Sequence, residues 1–212
     1  MTLLPTDVPT AGASAEMPAA TAPGLIARAR GILLQPRVEW DRIAVEEGSV
    51  RGLYLTYVLP LSAAAAVLVF LGSSLFSGFM GGWLTLAGAE AAFVLVSMPI
   101  GIALIARVID ALAPAFGAKA DARQAHKLAV YSATALLLAS VFWFDRPLSW
   151  LSIVGLYTYG LLYIGLPRLM KPPAESRMTY FMTVTVVSVV VMLVVAAGVQ
   201  SMVGWGAPLY FR

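Results

Sequence analysis

The sequence contains no cysteine and no asparagine. Without cysteine there is no disulfide, no thiolate nucleophile and no Cys-based metal site. Without asparagine there is no N-glycosylation sequon, and a pocket for a polar substrate lacks one of its usual hydrogen-bonding side chains. Charge is scarce as well: Asp, Glu, Lys and Arg together make up 12% of 212 residues, and there is 1 histidine. His126 stands beside Lys127 at the edge of an apolar segment, without the neighbours that a metal site or a Ser-His-Asp relay requires. Phosphate-binding glycine loops and the HExxH and GxSxG motifs are missing. Glu39, Asp41, Glu46 and Glu47 read as the solvated face of a surface helix, so no pair of carboxylates is placed for acid–base work. These absences predict a protein that is not an enzyme, with no catalytic residue, no metal and no cofactor. They also predict no nucleic-acid partner, and they disfavour a small-molecule substrate.

What remains is hydrocarbon. Hydrophobic side chains make up 60% of the chain and mean hydropathy is +0.85, far outside the range of soluble domains. The apolar runs are long and do not alternate, which selects helices over a β-barrel as the spanning elements. The predicted fold is all-α: a bundle of five transmembrane helices over residues 49–205, preceded by short interfacial amphipathic helices over 24–48. The spans are expected at about 52–75, 83–112, 128–144, 148–166 and 178–203, each at least as long as the ~17 residues that can cross a bilayer. The Gly- and Ser-rich stretch 72–82 makes the first turn, and Pro60 and Pro99 are each expected to remove a ladder hydrogen bond and kink their helices. Residues 1–23, rich in Pro and Ala, read as a disordered cytoplasmic tail without the pattern of a signal peptide. Residues 206–212 read as a short external C-terminus.

Charge placement gives the orientation. Of 14 Lys and Arg, all but Arg146 and Arg212 fall before the first span, between the second and third, or between the fourth and fifth. The positive-inside rule therefore puts the N-terminus in the cytoplasm and the C-terminus outside. Arg far outnumbers Lys in an Ala- and Gly-rich chain, the codon signature of a GC-rich genome. The expected location is the inner membrane of a bacterium.

The run Gly24–Leu34 places Leu25, Ile26, Ala29, Ile32 and Leu33 within a ~120° arc, flanked by Arg28 and Arg30. Such a helix can lie in the headgroup boundary or pack on the protein's own helices. Pro36 starts a second helix carrying Trp40. The expected membrane-surface contact comprises Leu25, Ile26, Arg28, Arg30, Ile32, Leu33 and Trp40. Glu90 lies inside a hydropathy peak and is the candidate intramembrane polar site, either a bundle hydrogen-bonder or an ion site. Arg107 and Asp110, three apart, are expected to form a local ion pair. Gly155, Gly160 and Gly165 recur at a step of five that does not align them on one face, so each serves close packing. Ala87, Gly88, Ala91 and Ala92 have small-xxx-small spacing suited to a helix contact.

Two segments resemble the Yip1 family of five-span membrane proteins. The first is ILLQPRVEWDRIAVEE leading into GLYLTYVLPL, with Pro36, Trp40 and Pro60; the second is YGLLYIGLPRLMKPP, with Tyr159, Gly165, Pro167, Met170, Lys171 and Pro172. The resemblance covers roughly residues 25–203. It implies a polytopic membrane protein whose eukaryotic relatives associate with Rab-type GTPases and with one another in vesicle traffic. The short Pro/Ala tail departs from those relatives, which carry a substantial cytoplasmic domain, and this puts GTPase binding in doubt. The function expected is a membrane scaffold or adaptor whose partners are the lipid bilayer and other membrane proteins or further copies of itself. The alternative is a small transporter or channel subunit with Glu90 in the path.

Overall fold

Wherever the computed structural model describes the chain, at residues 23–76, 83–140, 142 and 146–204, the regular structure is helical. The predicted tail except its last residue, most of the turn over 72–82 and the external segment 206–212 lie outside these residues. Helix α1 (Leu25–Leu34) and helix α2 (Pro36–Val45) form a hairpin hinged at Gln35, with Pro36 in the first turn of α2, where its missing N–H is not needed. Ser49 accepts from the Gly52 N–H and caps α3 (Val50–Leu53).

Helix α3 runs through a π-helical turn (Tyr54–Val58) into α4 (Leu59–Phe76). The Pro60 ring would crowd the carbonyl of Thr56, and the turn just before it widens so that the Leu59 N–H reaches back to the Tyr54 carbonyl. Helix α5 (Trp83–Leu112) continues through Pro99, then passes a short 3-10 turn (Ala113–Phe116) that ends at Gly117 in the left-handed region. Asp121 caps α6 (Ala122–Ser132) by accepting from the Arg123 and Gln124 N–H groups. After α7 (Thr134–Ala139), a 3-10 stretch (Arg146–Leu156), α8 (Tyr157–Leu169) and α9 (Arg177–Gly204) complete the order.

Four helical stretches are long and apolar enough to cross a membrane: Val50–Leu75, Leu84–Phe116, Trp150–Leu169 and Arg177–Gly198. Four of the five predicted spans thus have a counterpart. The region expected as the third span, 128–144, holds α6 and α7, joined through Ala133, whose N–H donates to the Ala129 carbonyl and whose carbonyl accepts from the Leu137 N–H, and this pair is deeply buried among the described residues. Because neighbouring helices surround α6, its side chains need not be apolar enough to face lipid.

Several interhelical polar contacts collect at one end of the bundle. There Tyr180 donates to the Ile109 carbonyl, Ser176 to the Phe116 carbonyl, and Gln124 to the Ala44 carbonyl. At the other end α4 packs tightly on α5 through Ala65, Ala66, Val69 and Val94, joined by Ala91. The small-residue spacing around Ala91 serves this contact.

Candidate functional site

The α1–α2 hairpin does not lie loosely on a surface; it is built into the charged end of the bundle. Trp40 is 0% exposed. Its ring meets Tyr131 of α6 edge-on at 6.4 Å and rests on Gly165 of α8, where an added Cβ would come within 2.7 Å of the indole. The two segments that carry the family resemblance, far apart in sequence, touch at this point. Ile32 and Ile43 are buried in the same core.

Charge is buried with them. Arg28, 2% exposed, and Glu39, 4% exposed, pair at 2.6 Å. Arg28 also donates to Glu46, and Arg42 approaches Glu39 from the solvent side at 3.3 Å. The Arg28 guanidinium stands 5.4 Å from the centre of the Tyr131 ring. Burial works against its charge, but Glu46, Tyr131 and Glu39 outweigh that effect and its pKa lies above the ordinary value. Glu39 is therefore not the solvated carboxylate its sequence position suggests. Glycine at position 31 leaves room for its side chain, since a Cβ there would lie 2.9 Å from the Glu39 carboxyl carbon.

Lys127 of α6 closes the far end of α2. Its ammonium donates to the Ile43 carbonyl at 2.9 Å and to the Glu46 carbonyl, groups left without helical partners at the terminus. Burial pulls its pKa below the ordinary value, with Glu46 opposing. At the rim, Asp41 pairs with Arg168 of α8 at 2.7 Å.

Beside this clamp lies a second polar group. The Tyr54 hydroxyl, placed by the π-helical turn, is 3.1 Å from Nδ1 of His126. Burial and then the charge of Arg107 lower the His126 pKa, and Asp110 acts in the opposite sense. Arg107 and Asp110 do not form the ion pair expected of them. Arg107 points outward, whereas Asp110 is half-buried with Oδ1 unpartnered among the described residues, so the i,i+3 spacing does not bring the two together.

The expected membrane-surface residues divide in the same way. Arg28, Ile32 and Trp40 are interior; Ile26, 80% exposed, and Arg30 face outward; Leu25 and Leu33 are half-buried. Hydropathy alone could not separate Arg28 from Arg30, since they lie on either side of one apolar stripe. Glu90 faces outward on α5 and accepts a hydrogen bond from Ser73 of α4.

Among the remaining family-like positions, Pro60 is exposed, Tyr159 is half-buried and Pro167 lies inside α8. Met170 and Pro172 are buried, and Lys171 between them adopts φ 49°, which reverses the chain towards α9. No group of His, Asp and Glu among the described residues is placed to hold a metal ion. The family model of the Yip1 domain matches residues 30–197, more than half of the chain. No curated protein and no solved structure matches.

Proposed function

Because the chain belongs to the Yip1 family and is an integral, multi-pass membrane protein, we propose that it is a non-enzymatic scaffold or adaptor that binds other membrane proteins, and lipid, through its outward faces. The observation that carries this reading is Glu90. It lies seven residues into α5, ~10 Å from that helix's start, and is exposed at the seam with α4. A carboxyl at this depth needs hydrogen-bond donors or water, and Ser73 provides one donor. A helix from another protein, presenting a donor at the same level, would supply the rest. Leu86 and Val96 on α5 and Leu193 on α9 are exposed around it and along the bundle, giving apolar surface for such a partner.

The distribution of Lys and Arg supports a cytoplasmic N-terminus and an external C-terminus in a bacterial inner membrane. A transport path within one copy would require Glu90 to face inward, and its outward position favours a helix contact instead. A photo-crosslinking residue at Leu86 should yield discrete protein adducts in native membranes, and Glu90→Leu should reduce them. Lipid adducts alone, unchanged by Glu90→Leu, would count against the scaffold. An ion flux in proteoliposomes that Glu90→Gln abolishes would replace it with transport.

A further inference from the structure

We propose that the groove between α1, α4 and α7 holds one acyl chain of an anionic phospholipid, with Arg30 on the headgroup phosphate. The inference deepens the lipid-binding part of the function above, naming the site and the class of lipid. The groove is a cavity of about 350 Å³. Leu25, Ile26 and Leu33 line it from α1, Leu61 from α4 and Leu138 from α7, and Arg30 is the one charged residue on its wall.

Position selects a lipid. The continuous helix from Val50 to Phe76 is ~40 Å long at ~1.5 Å per residue, about 10 Å more than the hydrocarbon of a bilayer. The charged end, with His126, Arg107 and Arg168, is where that surplus stands in the headgroups, so hydrocarbon begins near Tyr57. Leu61 is then about one turn inside it. The hairpin enters the same layer with its Gln35 turn innermost: Arg28 on α1 reaches Glu46 just past the outer end of α2, and the Leu33 carbonyl accepts from Tyr157 at the inner start of α8. Arg30, nearly one turn back from Leu33, is accordingly nearer the phosphates than the groove's inner end.

Charge selects the headgroup. Arg28 and Arg30 are two residues apart, yet Arg28 is neutralised by Glu39 and Glu46. Arg30 is exposed and has no ion pair or hydrogen bond with any described residue. An apolar slot in the acyl layer, with one unpaired guanidinium on its headgroup side, is complementary to an amphiphile with an anionic phosphate head.

The test is native mass spectrometry of the purified full-length chain with equal amounts of phosphatidylglycerol and phosphatidylcholine of matched acyl chains. The wild type should retain phosphatidylglycerol with about a five-fold preference, the factor expected of a single Arg at an anionic surface. Arg30→Gln should erase the preference, Ile26→Asp should lower retention of both lipids, and Arg37→Gln, on an exposed residue outside the groove, should change neither. Three results would overturn the assignment: no preference in the wild type, an equal loss in Arg37→Gln, or displacement of the lipid by glycerol phosphate, which has the head but no tail. If Ile26→Asp fails to fold, Arg30→Gln, which alters one exposed side chain, still decides. No partner protein is present, so failure here leaves the crosslinking around Glu90 to stand or fall separately.

Discussion

Replacing Gly165 with alanine tests whether the hairpin is held by the Trp40 contact. The new Cβ would lie 2.7 Å from both the indole ring and the Leu128 side-chain terminus. Leu128 can swing aside, but the indole is fixed, because Trp40 is fully buried and braced by Tyr131. Overpacking of this kind costs ~1–3 kcal/mol. Alanine also stabilises a helix by ~1 kcal/mol over glycine, but α8 is helical whether α2 is docked or not, so that gain cancels in the docking equilibrium. Hydrogen exchange of the amides of residues 36–45 reads docking directly. Gly165→Ala should speed it by about 5- to 150-fold, while the global melting temperature moves much less. In a Trp40→Leu background, where the ring is gone, the same alanine should not speed exchange further. Unchanged exchange in the single variant, or an equal acceleration in both backgrounds, would show that α2 is held by something other than the indole on Gly165.

Arg28→Met leaves Glu39 buried without its principal partner and should cost ~3–5 kcal/mol, whereas Arg28→Met combined with Glu39→Met should recover most of it in a detergent melt. His126 has a folded pKa below its ordinary 6.5, so the unfolded chain takes up the proton first and stability should fall as pH drops below 6.5. Melting curves of His126→Gln should lack that decline. The cysteine-free chain allows clean reporters of orientation: single cysteines at Ala120 and Ala174 should react with an impermeant reagent only after lysis, and one at Pro208 without it.

The elements that sequence periodicity describes well are those whose environment is lipid. The apolar runs in α4, α5, α8 and α9 match their expected spans because each faces hydrocarbon on part of its circumference. The Pro36 helix start was equally plain, since a proline's fixed φ acts locally. Legibility fails where the environment is other protein. Glu39 looks like a surface carboxylate in its own helix, and it is interior because an arginine eleven positions earlier folds over it across the Gln35 turn. Arg107 and Asp110 have the spacing of an ion pair but are drawn to different surroundings. The role of Gly165 as a seat for Trp40 could be suspected only because both belong to segments of one family pattern. In the region expected as the third span, the burial of α6 with His126 and Lys127 inside is not announced by the local sequence.

The seat of Trp40 also has a consequence for biogenesis. Residue 40 is made 125 residues before residue 165, and at ~5–20 residues per second the ribosome needs roughly 6–25 s to cover that distance. During this interval the hairpin has no complete α8 to receive it, and its arginines and carboxylates keep it from crossing the bilayer on its own. It waits at the membrane surface as a tethered amphipathic segment until α8 is inserted. Closure of the hairpin is thus a late step in maturation, and a chain truncated before Gly165 would be left with an open, unseated N-terminal region for quality-control proteases to recognise.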